Sequence, residues 1–300
     1  MKKVLKWIGI VFAGLLVIII IVLIGLNIST STRLNRVYDV TPIEVNIPSD
    51  AAAIERGAYI YSTTCAGCHG ENLEGTAFFD DPVIAYIPAT NLTAGAGGIG
   101  KTYTDEDYVL AIRNGISSDG TPLIIMPSEA LWYFSNDDLG AVISFLKSSP
   151  AVDNNLGERD IKFMGKVLIA IGAFGEIIYA EVINHDQLPP EAPPRASTAD
   201  YGEYLINISH CVECHGENLN GSKSPEPGAP FSPNLTPGGV LATWSSEDFI
   251  STMKTGMTPL GRQLDKKFMP YEEIGRMTDE DLNAMFLFLQ SLPTLATPLK

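Results

Sequence analysis

The sequence predicts an all-α protein, built as two tandem helical domains behind one N-terminal transmembrane helix. Three observations predict it. A run of 20 residues, Trp7 to Leu26, carries no charge. The chain beyond it repeats itself, with landmarks recurring at offsets of 146, 143 and 143 residues. Each repeat closes on apolar positions at i, i+3, i+4 and i+7 behind a polar cap, the mark of an amphipathic helix. Three hundred residues suit two domains of roughly 100–150 each, and 45% apolar content can fill their cores.

At about 1.5 Å per residue the uncharged run is about 30 Å long, the thickness of a bilayer's hydrocarbon core. Lys2, Lys3 and Lys6 precede it. The positive-inside tendency therefore keeps the N-terminus in the cytoplasm and exports the rest to the periplasmic or extracellular face. A cleaved signal peptide usually has an apolar core of only about 7–15 residues and a small-residue cleavage site. Here the run is longer, and Asn27–Thr32 has no A-x-A pattern. The expectation is a single-pass anchor of the cytoplasmic membrane over residues 1–27, then a linker over 28–50.

Basic residues number 20 and acidic ones 35, and every charged residue among the first 36 is basic. The remainder carries a formal net charge of −20. Such a surface repels phosphate backbones, which excludes nucleic acid as a partner. It suits a basic docking face on a partner protein, with an attraction that salt weakens.

The repeat is visible in three landmarks. Glu71-Asn72-Leu73-Glu74-Gly75 recurs as Glu217-Asn218-Leu219-Asn220-Gly221, Asn91-Leu92-Thr93 as Asn234-Leu235-Thr236, and Met126-Pro127 as Met269-Pro270. This is duplication of a domain of roughly 100 residues, not a solenoid of short units. The domains are placed at 51–150 and 197–300. Helices are expected over Ala52–Ser62 and Ala199–Ile208, and near Asp105–Asn114 and Ser246–Thr255. The closing helices start at the caps Ser135-Asn136-Asp137-Asp138 and Thr278-Asp279-Glu280-Asp281 and stop before Pro150 and Pro293. Gly95–Gly100 and Pro225–Pro237 read as loops. Residues 151–196 form a connector. Its stretch Ile161–Ile183 has no uncharged run longer than nine residues. That is too short to span a bilayer and fits an amphipathic element that packs against the two domains, or lies on the membrane or a partner. Leu188–Pro194 is proline-rich, hence extended.

The four cysteines fall in Cys65-Ala66-Gly67-Cys68-His69 and Cys211-Val212-Glu213-Cys214-His215. Both match C-x-x-C-H, the attachment signature of c-type haem. Two thiols three residues apart can form thioethers to the vinyl groups on one porphyrin edge, and the next histidine then lies under the iron. A thioredoxin-like couple needs a βαβ context, and a zinc site needs both pairs at one ion; neither fits two separate repeats.

The sixth ligand decides the chemistry: an open site admits peroxide, whereas a thioether favours electron transfer and raises the potential. Met126 is the only methionine between His69 and Pro150. In the second half Met253, Met257 and Met277 compete with Met269, but Met269 shares the proline and the closing helix that follow Met126. The expected iron ligands are therefore His69 with Met126 and His215 with Met269. Two covalently bound haem c are expected, on Cys65 and Cys68 and on Cys211 and Cys214. His210 and His185 are not assigned as ligands. The Asn-x-Thr triplets, glycosylation acceptors in other settings, read as a loop that both domains share.

On these motifs each half resembles a class I cytochrome c domain. More narrowly, Asn234-Leu235-Thr236-Pro237, Trp244–Phe249, Met269-Pro270-Tyr271 and Thr278–Leu282 are similar to the cytochrome c subunits of membrane-bound alcohol and gluconate dehydrogenases. The resemblance implies an electron-transfer protein, not itself an enzyme, passing single electrons between donor and acceptor proteins of a respiratory or dehydrogenase complex. The alternative is a dihaem cytochrome c peroxidase, which needs one open distal site; a Met-Pro in both halves argues against it.

Overall fold

The uncharged run lies inside one helix, α1 (Lys2–Leu34), in which only Thr30 and Leu34 are buried. By length and composition it can cross a membrane; inside lipid a helix is one of the few ways to satisfy every backbone polar group. The computed structural model describes residues 2–224 and 228–298.

Beyond α1 the two halves share a plan. The first has α2 (Ala51–Thr64), the short α3 (Ala66–His69), α4 (Asp105–Val109, continuing as a π-turn to Asn114), α5 (Ser128–Leu131) and α6 (Asn136–Ser148). The connector contributes α7 (Phe163–Ala170). The second half repeats the set as α8 (Ala199–Ile208), α9 (Cys211–His215), α10 (Ser246–Thr255), α11 (Tyr271–Ile274) and α12 (Asp279–Ser291). The caps act as expected: Ser135 and Thr278 accept from the N–H groups of Asp138 and Asp281, and Thr104 and Ser245 close capping boxes with Asp107 and Asp248.

The all-α expectation needs correction. A three-stranded antiparallel sheet joins β1 (Thr76–Asp81), β2 (Ala85–Ala89) and β3 (Asp160–Ile161), and β4 (Ser222–Lys223) pairs with β5 (Phe231–Ser232). The reason is local chemistry. Phe78, Phe79, Tyr86 and Ile87 are strand formers. Between them Asp81 accepts from the N–H groups of Val83 and Ile84, which sets the hairpin turn. The loop expected over Pro225–Pro237 is described from Gly228 onward; its first three residues lie outside the described residues.

In each half the first helix packs on the last, α2 on α6 and α8 on α12. The contact is a glycine against backbone: a Cβ on Gly57 would sit 2.0 Å from the Ala141 oxygen, and one on Gly202 1.9 Å from that of Ala284. Alanine would gain helix propensity worth about 1 kcal/mol, yet it must push two helices apart. Gly57→Ala is therefore expected to destabilise by about 1–3 kcal/mol, read as a lower denaturant midpoint; an unchanged midpoint would show that the helices are not this close.

One apolar core runs through both halves, and the polar contacts between them are reciprocal. Tyr59 donates to Asp281 at 2.5 Å and accepts from the Thr278 N–H, while Tyr204 donates to Asp138 at 2.7 Å and accepts from the Ser135 N–H. Each half thus offers the other a tyrosine for its closing-helix cap, the pattern of a two-fold interface. Within the first half Arg56 makes a bidentate pair to Asp138 at 2.9 and 2.7 Å, and across the boundary it reaches the Tyr201 hydroxyl. Arg276 pairs with Glu71 across the same boundary.

The connector packs, but mainly on α1 and the first half. Thr30 donates to the Lys166 carbonyl at 2.7 Å, Arg33 pairs with Glu181, and Ile125 donates through its N–H to Ile177. It meets the second half through Tyr179, edge-on to His210. His185 lies between Asn114 and the Ala180 carbonyl.

Candidate functional site

The turn after each C-x-x-C-H explains the repeated Glu-Asn-Leu-x-Gly. α3 stops at Gly70 (φ 81°) and α9 at Gly216 (φ 82°). The chain then doubles back through left-handed Leu73 (φ 63°) and Leu219 (φ 53°). This conformation costs a leucine roughly 1–2 kcal/mol, and both side chains are buried in the core, which offsets it. The Gly75 N–H reaches the His69 carbonyl, and the Gly221 N–H the His215 carbonyl, each at 2.8 Å. The hydroxyls of Thr76 and Ser222 bind the Cys68 and Cys214 carbonyls, both at 2.7 Å.

The Asn-Leu-Thr landmark serves the histidine. Asn91 and Asn234 are buried and donate to the Val152 and Leu295 carbonyls just past each closing helix. Their Oδ1 atoms accept from the N–H and hydroxyl of Thr93 and Thr236. With both amides enclosed, neither of these two triplets offers a surface acceptor for glycosylation. The pinned segment presents the carbonyl of the preceding residue: His69 Nδ1 lies 2.9 Å from the Thr90 oxygen and His215 Nδ1 2.8 Å from that of Pro233. An Nδ1–H donated there leaves Nε2 as the free lone pair, the usual second-sphere arrangement of a metal-ligating histidine. Burial lowers both imidazole pKa values.

In the first half the predicted residues meet at one cavity. Cys65, Cys68, His69 and Met126 all line it, with an apolar wall that includes Leu92, Ile99, Ile112 and Leu131. It holds about 1140 Å³ of atom-free space, part of it open to solvent. Burial pushes the Cys65 thiol up to about 12, and the Cys211 thiol likewise. These are neutral sulfurs, unlike the low-pKa thiolate of a redox couple. Among the described residues no three His, Cys, Asp or Glu converge as a metal-binding set.

The donor set and the cavity fit a covalently held haem. An apolar slot carries two thiols and an oriented imidazole on its wall. It also carries one unsatisfied donor, the Tyr108 hydroxyl, which is buried with no hydrogen-bond partner. In the second half Cys211 and Met269 are both half-buried against the core. The bond from the Tyr271 N–H to the Met269 carbonyl, 2.7 Å, repeats that from Ser128 to Met126, 2.8 Å. The competing methionines separate by burial: Met253 and Met277 are core residues, and Met257 is exposed beside Gln263.

Two features escaped the sequence reading. The carbonyls of Thr90 and Pro233 have no side-chain signature, although their place before Asn-Leu-Thr is visible. The second is an inequality between the halves. Arg113 is fully buried, donating to the Phe134 carbonyl and to Asn136, whereas Lys254 ends α10 exposed and paired with Asp279. Tyr108 likewise has Phe249 at the matching register, counted from the two capping boxes.

Comparison with known proteins agrees with this geometry. The profile of the family described as Cytochrome c matches residues 54–150 and 199–293. The chain is 26% identical over 280 residues to the fructose dehydrogenase cytochrome subunit of Gluconobacter japonicus, covering 85% of this chain and 55% of that protein. It is 27% identical over 278 residues to the cytochrome c subunit of the quinone alcohol dehydrogenase of Gluconobacter oxydans, covering 82% and 56%. The chain thus spans about half the length of the curated relatives it matches. With a C-x-x-C-H segment in each of the two matched regions, the chain belongs to the cytochrome c family.

Proposed function

We propose that the chain carries two haem c groups and relays single electrons between partner proteins on the outer face of a membrane, as a subunit of a dehydrogenase or respiratory complex. The domains are 51–150, with Cys65, Cys68, His69 and Met126, and 197–300, with Cys211, Cys214, His215 and Met269; α1 anchors both. One observation carries the reading: each C-x-x-C-H histidine has its Nδ1 committed to a backbone carbonyl, in duplicate, so that only Nε2 is left for a ligand.

Haem c, when bound, supplies a one-electron couple whose potential follows its axial ligands and burial. The chain's own residues do the rest. Thr90 and Pro233 fix the imidazole planes through their carbonyls. The Tyr61 hydroxyl, donating to the Gly70 carbonyl at 2.6 Å, braces α3 from behind. The apolar wall of the first cavity limits the water around its site, and the reciprocal tyrosine contacts hold the two halves in one orientation. Partnership with a sugar or alcohol dehydrogenase is supported by the relatives' names, and exchange with a basic docking face by the net charge of −15.

The test is intact mass and optical spectroscopy of the protein made in a host with c-type maturation. Expected are a mass gain of two haems, four thiols closed to alkylation, and two one-electron steps at positive potential. A chain with free thiols and no covalent porphyrin overturns the proposal. Peroxide turnover by the reduced protein would restore the peroxidase alternative, which a Met-Pro in both halves disfavours.

A further inference from the structure

α7 is not only a packing element. Its contacts with α1 climb in step: Asn27 reaches the Phe163 carbonyl at 3.5 Å, Thr30 the Lys166 carbonyl, and Leu34 shares a core with Ile169. The two helices therefore run side by side in the same direction. The first turn of α7 points back toward the uncharged run, level with the residue that follows Leu26.

That turn is apolar and uncovered. Phe163 is 50% exposed and Met164 45%. Beside them is the β1–β2 turn, held by the bond from the Lys162 N–H to the Ile84 carbonyl and by Gly165, whose missing side chain leaves room for that carbonyl. Its Val83 is 61% exposed. Three bare apolar side chains, from two elements about eighty residues apart in the chain, thus gather at the first turn of α7, which flanks α1 where it leaves its apolar run. Lys162, whose ammonium pairs with Asp160, and Lys166 belong to the same segment. If Trp7–Leu26 fills the hydrocarbon core, the level of Asn27 is the boundary between acyl chains and headgroups. Aromatic and long apolar side chains favour that layer, with lysine ammonium groups reaching the phosphates.

We propose that Phe163, Met164 and Val83 insert into the interfacial layer of the bilayer that α1 crosses, giving the first domain a second foot on the membrane. The inference rests on the reading of α1 as a membrane span. A single helix leaves the exported domains free to swivel. A second point of contact away from its axis fixes which face of the first domain looks along the membrane and which looks away.

The test uses the unmodified full-length holoprotein in liposomes containing photoreactive phosphatidylcholine, with the reactive group either high on the acyl chain or at its end. Crosslinks are mapped by mass spectrometry. Expected are capture of α1 by both probes, and capture of Val83, Phe163 and Met164 by the shallow probe alone. Capture of α1 without those three overturns the inference and leaves the anchor standing; a protein partner or a second copy covering them gives this same result. No capture of α1 overturns both. In a Phe163→Ser/Met164→Ser variant the shallow crosslinks at this turn should be lost while those on α1 persist, and undiminished capture of Lys162–Lys166 counts against insertion.

Discussion

An Asp138→Ala protein is expected to lose about 3–5 kcal/mol of folding stability, the usual cost of leaving one partner of a buried ion pair alone. The magnitude follows from what the carboxylate holds. Arg56 and Asp138 side chains are only 10% and 7% exposed, so water does not replace the lost bonds. The same carboxylate accepts from Tyr204 across the interface, and its own N–H fills the Ser135 cap. Denaturant titration of the holoprotein reads the effect, and a midpoint within error of wild type would show the network to be neutral. The pH dependence has a definite sign. Burial alone would raise the Asp138 pKa, but the hydrogen bond and charge of Arg56 overcome it and hold the group below the usual carboxylate range. A depressed folded-state value means that this stability is fully present above the unfolded pKa of about 3.9 and disappears as pH falls through the lower folded value. Wild type and variant should therefore converge in stability in strong acid and differ most near neutrality.

Met126→Ala is expected to change chemistry more than stability. As mere core filler, Met126 would cost about 2–5 kcal/mol on truncation and leave the spectra alone. As the sixth ligand, its loss opens one of two sites. The reduced protein should then take up carbon monoxide at one equivalent per chain, and one of its two midpoint potentials should fall on the order of 0.1 V, well inside the roughly 0.8 V that axial ligands command. Met269→Ala should act on the other potential, and the double variant should bind two equivalents. A Met126→Ala protein with both potentials unmoved and no carbon monoxide uptake removes Met126 from the ligand set.

The parts of the fold that were legible are those whose information is contiguous. The ends of α8 and α10 could be read because Thr198 and Ser245 are caps visible in the chain, with turn-forming residues behind them. The site was legible for the same reason: C-x-x-C-H carries two thiols and an imidazole in five consecutive residues. What escaped depends on contacts distant in sequence. β3 has two residues and exists only because β2 accepts it. Tyr59 finds Asp281 across 222 positions, and nothing in either residue's neighbourhood announces the other. The inequality between Arg113 and Lys254 was invisible because burial, not residue type, makes one cation a core group and leaves the other at the surface.

The reciprocal clasp of Tyr59 on Asp281 and Tyr204 on Asp138 has a kinetic meaning. Two free copies meeting through such a face would separate on dilution, with an exchange rate that depends on how often they collide. Here both lobes belong to one polypeptide, and the connector keeps their local concentration high whatever the number of molecules present. On the proposed function, passage of an electron from lobe to lobe would therefore be a first-order event, indifferent to how many copies of the protein are present.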